Sequence, residues 1–238
     1  LADLRYVAPV PHVPAEAPAP TGLLSDTLGR PLRDLRISVT DRCNFRCSYC
    51  MPKEVFDNAY KFLPQNSLLS FEEITRAARL FVAHGVHKIR LTGGEPLVRR
   101  DIEILLKELG GHVAAGRLDE LTLTTNGSRL AQFAPILAAA HFRRINVSLD
   151  SLNPETFRTI TRGGDLAQVL EGIAAAAALG IGIKINMVAL KGENETELLA
   201  MAEFCAANGY DLSLIETMPL GEGVANRQDR YIAMDNFI

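Results

Sequence analysis

Three of the chain's four cysteines fall within eight residues, in the stretch DRCNFRCSYCMP over 41–52. Cys43, Cys47 and Cys50 therefore have the spacing C-x3-C-x2-C. Thiolates are soft ligands, and iron–sulfur clusters are ordinarily held by four of them. Three on one loop can hold three corners of an iron–sulfur cube and leave the fourth iron open to a small molecule. Two other uses of the thiols compete with this one. A structural zinc site needs four ligands, usually in paired C-x2-C or His spacing, and the nearest histidines in sequence, His12 and His84, do not supply it. Burial as plain core thiols is the other, but Asp41, Arg42, Asn44 and Arg46 make the segment polar. A metal or cluster is the favoured reading.

Something must position this loop, and the sequence around it has a rhythm. Short β-rich runs, LRISVT (35–40), VHKIRLT (86–92), ELTLTT (120–125), RRINVSL (143–149), GIKINMVAL (182–190) and DLSLIETM (211–218), alternate with helical stretches. Ser70 and Glu73 have the spacing of a capping box. A second helix begins at Asp101, and Asp165 can cap a helix that ends at Gly180. Asn194 and Glu197 resemble a further start, with Gly209 past the end. A third helix is expected to carry Pro135 in its first turn. Strands alternating with helices mean a parallel α/β sheet, and six units suggest an open or partial (β/α)6 barrel rather than a closed eight-stranded one. The cysteines then lie at the carboxyl end of the first strand, where sites occur in such folds.

The strands also alternate in polarity. Leu35, Ile37 and Val39 oppose Arg36, Ser38 and Thr40, and Ile89 and Leu91 oppose Lys88, Arg90 and Thr92. Leu121 and Leu123 oppose Thr122, Thr124 and Asn126, Ile145, Val147 and Leu149 oppose Arg144, Asn146, Ser148 and Asp150, and Ile183 and Ile185 oppose Lys184 and Asn186. A strand covered on both faces reads as a continuous apolar run. Here the polar faces are expected to line the barrel, as a lumen for an anionic ligand near Arg36, Arg90 and Lys184. An antiparallel sheet with one wet face would alternate too; the intervening helices argue against it.

Composition bounds the class. The chain has 238 residues, a formal net charge of −3 and 47% apolar residues, which suits one large domain with a proper core. The near-neutral balance gives no reason to expect a nucleic-acid-binding surface, and no apolar run approaches membrane-spanning length. The cysteines do not form a secreted disulfide pattern, so a cytoplasmic setting is expected. Residue 1 is Leu, which leaves a trimmed leader open. Residues 1–32, with five of the twelve prolines at 9, 11, 14, 18 and 20, read as a flexible arm. His84, His87, His112 and His141 read as surface or packing residues, and Cys205 as a buried thiol.

With Tyr49 before its last cysteine, the C-x3-C-x2-C loop resembles the signature of the radical S-adenosylmethionine enzymes. DRCNFRCSYCMP followed by RLTGGEPLVRRDI, TTNG, INVSLDSL, KINMV and IETMP resembles, within them, the GTP 3′,8-cyclases of molybdenum cofactor biosynthesis, over residues 33–222. The resemblance implies a partial barrel, a [4Fe–4S] cluster on Cys43, Cys47 and Cys50, and S-adenosylmethionine on the open iron, cleaved by one electron to a 5′-deoxyadenosyl radical. It implies S-adenosylmethionine contacts at Tyr49, Gly94, Ser148 and Met218, and GTP contacts at Arg36, Arg90, Thr124 and Lys184. It further implies an electron donor such as flavodoxin or ferredoxin, an accessory protein that receives the product, and homodimers. No role in nucleic-acid or membrane binding is implied. A radical enzyme acting on a peptide or another nucleotide is the alternative.

Single pieces of this pattern carry less. Gly93-Gly94 and Thr125-Asn126-Gly127 are also plain turn signals, and a methionine such as Met218 more often packs a core. The family's second cysteine set, which binds a further [4Fe–4S] cluster at the guanine, has no counterpart after Met218. Residues 223–238 therefore read as the start of a truncated C-terminal region, with the chain a fragment. Such a fragment is expected to expose apolar area at the sixth strand and to be aggregation-prone.

Overall fold

The structure is a computed structural model that describes residues 24–26, 28–57, 59–217 and 230–233. Six strands form one parallel sheet in chain order: β1 (Asp34–Ser38), β2 (Lys88–Thr92), β3 (Glu120–Thr125), β4 (Arg144–Ser148), β5 (Gly182–Ala189) and β6 (Asp211–Glu216). The crossovers are α1 (Phe71–Ala83), α2 (Ile102–Ala114), α3 (Leu130–Ala139), then α4 (Pro154–Thr161) with α5 (Leu166–Ala178), and α6 (Leu198–Asn208). The sheet is open: among the described residues β1 and β6 pair with one neighbour each, which is the partial barrel expected from six units.

The period-2 pattern does the work of orientation. Ile89, Leu91, Leu121, Leu123, Ile145, Val147, Ile183 and Ile185 are buried and share one core with helix residues such as Leu105, Leu109, Leu137, Val169 and Ile173. Each such side chain, fully buried, contributes about 1.5–3 kcal/mol. Because alternate residues point to opposite faces, the polar set of the same strands is turned away from the helices. In-register parallel pairing arranges that set in rows, with Arg36 opposite Arg90 opposite Thr122, and Thr124 opposite Asn146 opposite Lys184.

Local chemistry sets the helix ends. Ser70 Oγ accepts from the Glu73 amide at 3.2 Å and Glu73 accepts from the Ser70 amide at 2.7 Å, a complete capping box. Asp165 caps α5 through the Ala167 amide at 2.9 Å. Gly180 and Gly209 end α5 and α6 with positive φ of 77° and 68°.

Two local expectations are corrected, and one helix is added. Pro135 lies inside α3, not in its first turn, because the helix begins five residues earlier at Leu130. Burial of Leu130, Phe133, Ala134 and Leu137 on one face outweighs the missing hydrogen bond. Asn194 does not cap a helix. It begins a 3-10 turn at Glu195–Glu197, while its side chain accepts from the Leu190 amide and donates to the carbonyls of Asp150 and Val188. Helix α4 went unpredicted, although Asn153-Pro154 has the form of an N-cap followed by Pro at N1. Asn153 Oδ1 accepts from the Glu155 and Thr156 amides at 2.9 and 3.2 Å.

Of the residues expected to form the arm, Ser25 and Pro31 form an antiparallel bridge, and the Leu24 amide donates to His84 O at 3.2 Å. On β6, Leu214 and Ile215 are 37% and 38% exposed. No helix among the described residues is long and apolar enough to cross a membrane.

Candidate active site at the cysteine loop

The cysteine loop leaves the carboxyl end of β1 without regular secondary structure, so side chains must hold it. The Arg46 guanidinium donates to the carbonyls of Cys43 and Phe45, and Arg162 Nη1, at the end of α4, donates to Met51 O at 3.0 Å. Backbone amides of Arg46 and Ser48 donate to Thr161 O and Ile160 O at 3.1 and 2.9 Å. Phe45 packs edge-on against Phe157, with ring centroids 6.0 Å apart. The helix that the sequence reading missed is thus the shelf for this loop. Arg230 Nη1 adds a bond to Ser48 Oγ at 3.0 Å.

From the other side the loop meets Gly93-Gly94-Glu95-Pro96, directly after β2. The Gly94 and Glu95 amides donate to Thr40 O and Arg42 O at 2.7 and 2.8 Å. A Cβ on Gly94 would lie 2.3 Å from Arg42 O, so only glycine lets the two backbones approach. Glu95 is fully buried and accepts from the Leu97 amide at 3.0 Å, the Asn126 amide at 2.6 Å and Thr125 Oγ1 at 2.8 Å. Burial raises its pKa against the pull of those donors. Its carboxylate ties the turn after β3 to the turn after β2.

The Asn126 side chain carries that tie on to the first cysteine. Its Nδ2 donates to Asn44 Oδ1 at 2.9 Å and lies 3.7 Å from Cys43 Sγ; its Oδ1 accepts from the Ser128 amide and hydroxyl at 3.0 and 2.7 Å. Cys43 Sγ also accepts from the Phe45 amide at 3.4 Å. Burial pushes the Cys43 and Cys47 thiols above their ordinary pKa, with nearby negative charge adding to the effect on Cys47.

At the far side of the loop, the Tyr49 hydroxyl donates to Asp150 Oδ2 at 2.9 Å. Asp150 is 2% exposed and also accepts from the Val188 amide at 2.9 Å. Burial lifts its carboxyl to about 6, against those two hydrogen bonds. Ser148, at the end of β4, precedes Asp150 by two residues and is half-buried. Met218 lies outside the described residues.

Below the loop, on the face turned from the helices, Arg36 and Arg90 occupy paired positions. Thr124 and Lys184 stand in the next row towards the loop, two residues or roughly 6.6 Å on. Asn146, between them in that row, is 3% exposed, and its Oδ1 has no hydrogen-bond partner among the described residues; Arg144 Nε is likewise buried and unmatched. At the floor, Glu120 bridges Lys88 and Arg144 at 2.8 and 3.1 Å. All four expected GTP residues thus share one polar face, which holds unmatched buried polar atoms of the kind a ligand satisfies.

The donor set fits an iron–sulfur cluster. The four cysteines form no disulfide. Among the described residues no three His, Cys, Asp or Glu side chains gather round a point as one metal ion requires. Three thiols spread along one loop suit ligands that each take a separate corner of a cluster. Ionising the half-buried Cys43 and Cys47 thiols calls for compensating positive charge, which iron supplies.

Asp150, Glu95 and Asn126 are the residues the sequence reading missed. Glu95 and Asn126 stood within quoted motifs, but a motif's turn residues do not reveal which side chains turn inward. Asn126 and Asp150 had a signal, since they continue the polar parity of β3 and β4, but parity alone gave them no role.

Comparisons with known proteins agree with this geometry. The chain is 53% identical over 214 residues to a protein of Rhizobium meliloti (strain 1021) named GTP 3′,8-cyclase, covering 90% of this chain and 60% of that one. It is equally identical over 216 residues to a GTP 3′,8-cyclase of Brucella canis, covering 91% and 61%. The chain thus spans about 60% of the length of these relatives. Among solved structures, Streptococcus suis SuiB bound to S-adenosylmethionine superposes with a TM-score of 0.70 at 20% identity, covering 87% of this chain and 45% of that one. The anSMEcpe structure with bound AdoMet gives 0.66 at 16%, covering 87% and 55%. Their likeness is one of fold. The family model of the Radical SAM superfamily matches residues 37–205, from the strand that launches the cysteine loop to the last helix, and to that superfamily the chain belongs.

Proposed function

We propose that the chain is the radical-generating barrel of a GTP 3′,8-cyclase. The reaction joins the ribose C3′ of GTP to guanine C8, giving 3′,8-cyclo-7,8-dihydro-GTP for molybdenum cofactor biosynthesis. One observation carries the reading: a cysteine loop stands over a sheet face bearing Arg36, Arg90, Thr124 and Lys184 in adjoining rows, in a chain 53% identical to proteins of that name. When bound, a [4Fe–4S] cluster and S-adenosylmethionine supply the one-electron cleavage that yields a hydrogen-abstracting 5′-deoxyadenosyl radical.

The chain's own residues hold, orient and neutralise. Cys43, Cys47 and Cys50 hold the cluster, and Tyr49, Gly94, Ser148 and Met218 are the S-adenosylmethionine contacts. Arg36 and Arg90, paired across neighbouring strands, clamp the triphosphate, because guanidinium forks match phosphate oxygens and two adjacent cations need an anion between them. Lys184 adds a point charge one row nearer the loop, and Thr124 a hydroxyl. The apolar back of the same strands keeps these cations fixed. A flavodoxin or ferredoxin as electron donor, an accessory protein that takes the product, a homodimeric state and a cytoplasmic setting belong to the same proposal.

The test is anaerobic reconstitution with iron and sulfide, followed by electron paramagnetic resonance and GTP binding. The expected result is about four irons per chain and a reduced-cluster signal that changes with S-adenosylmethionine. Arg90→Ala and Lys184→Ala should each weaken GTP binding roughly 10- to 100-fold, the loss of one charge-assisted contact. One zinc and no sulfide would overturn the radical reading. Full cluster loading with GTP affinity untouched by either substitution would leave the radical barrel and replace GTP by another substrate, such as a peptide.

A further inference from the structure

We infer that Asn126 is a positioning residue for the cluster's first ligand, its side-chain amide donating to the Cys43 sulfur and setting the ease with which the cluster is reduced. The inference rests on the reading of Cys43, Cys47 and Cys50 as cluster ligands. It starts from a closed ring of hydrogen bonds. The Ser128 backbone amide can only donate, and it points at one terminal atom of Asn126 at 3.0 Å, so that atom is the oxygen. The other terminal atom is then the nitrogen, and it faces Asn44 Oδ1 at 2.9 Å and Cys43 Sγ at 3.7 Å. Asn44 Nδ2 donates to Ser128 Oγ at 2.9 Å, whose hydroxyl donates to Asn126 Oδ1 at 2.7 Å. Every donor in the ring meets an acceptor, so the orientation of the amide is fixed by its neighbours. Upstream, Glu95 grips the Asn126 backbone amide at 2.6 Å, and Asn126 itself is 9% exposed.

Two N–H groups thus face one sulfur, the second being the Phe45 amide at 3.4 Å. Reduction adds an electron to a site already rich in thiolate charge. N–H dipoles aimed at sulfur stabilise that added charge, so hydrogen bonds to cluster sulfurs move the potential upward. Of the two donors, the Phe45 amide is backbone and resists substitution, whereas the Asn126 amide is a side chain. The amide nitrogen carries two N–H groups, so Asn44 Oδ1 takes one and the sulfur the other, and Asn44 anchors the amide beside the sulfur.

The experiment is a redox titration of the reconstituted cluster in wild type, Asn126→Asp, Asn126→Leu and Asn44→Ala, followed by electron paramagnetic resonance. Asn126→Asp keeps the acceptor for Ser128 and loses the donor to sulfur; Asn126→Leu loses it without adding charge. Both are expected to lower the reduced-to-oxidised ratio at fixed poise about tenfold, a shift of about 59 mV to more negative potential. Asn44→Ala removes an anchor of the amide but leaves its second N–H to the sulfur, and is expected to move the potential less than either Asn126 variant. A merely structural role would loosen the loop in all three variants and shift them by equal amounts, or not at all. Either result, with a loaded wild type, overturns the inference while leaving the cluster reading intact. Should Asn126→Leu fail to fold, Asn126→Asp, which keeps the acceptor for Ser128, overturns the inference alone if its potential is no lower than wild type. A wild type that takes up no iron and sulfide overturns the reading on which the inference stands.

Discussion

At the scale of single residues, the site is built by close approach as much as by ligand chemistry. Gly94 shows the difference. Its resemblance to an S-adenosylmethionine contact suggests that glycine is there to admit a ligand. The structure supplies a second reason: a Cβ would sit 2.3 Å from Arg42 O, a backbone atom of the residue before Cys43. A fixed carbonyl cannot swing away as a side-chain end can, so the loop itself must move. Overpacking typically costs about 1–3 kcal/mol, and the closer backbone obstacle here puts Gly94 at the upper end. Gly94→Ala is therefore expected to reduce iron uptake by the anaerobic chain, not only its affinity for S-adenosylmethionine. Iron and sulfide analysis checks this. Full loading with weakened S-adenosylmethionine binding would mean that the glycine serves the ligand alone.

At the scale of elements, α2 offers a matched pair. Gly110 and Gly111 are neighbours on one helix, yet a Cβ on Gly110 would lie 2.6 Å from Ala140 O, while one on Gly111 meets nothing within 4 Å. Alanine in a helix interior gains about 0.5–1 kcal/mol over glycine. Gly111→Ala is expected to stabilise by that amount. Gly110→Ala gains the same propensity but must push α2 off the end of α3, at a cost of about 1–3 kcal/mol, and is expected to destabilise on balance. Urea denaturation of the two variants distinguishes them, and equal midpoints would show that the α2–α3 contact is looser than described. No sequence pattern separates these two glycines, because the contact comes from another element. The same limit explains what was legible elsewhere. Strand parity exposed the polar face and its four expected ligand-binding residues, since period 2 is a property of each strand by itself. The capping box at Ser70 was legible for the same reason. Asn194 was misread because its side chain serves Asp150 and Val188 rather than a helix end. Pro135 was misplaced because the apolar face of α3 extends a full turn before it. Glu95 and Asn126 went unassigned because their partners lie about 30 and 80 residues away.

At the scale of the whole molecule, the sheet is covered unevenly. β2 to β5 bury their apolar residues against helices, whereas β6 packs only Leu212, and that in part, against the core. Leu214 and Ile215 are adjacent, so they point to opposite faces of the sheet, and both are more than a third exposed. Exposure on both sides at once means that the second half of the last strand is only partly covered on either face. It is also an edge, paired among the described residues with β5 alone, and an edge presents unpaired backbone groups as well. The charged Asp211 and Glu216 flank the strand, but they stand at its ends and leave the apolar pair uninterrupted. This chain is therefore expected to self-associate through β6 at concentrations where a closed barrel would stay monomeric. Light scattering after size-exclusion chromatography measures it. The double substitution Leu214→Thr and Ile215→Thr places β-branched residues that suit a strand at both positions and removes most of the exposed apolar surface. It is expected to return the chain to the monomer, whereas raising the salt concentration, which screens charge and leaves apolar association in place, is not. A wild-type chain that elutes as a 26.0 kDa monomer at high concentration would show that β6 is covered in solution.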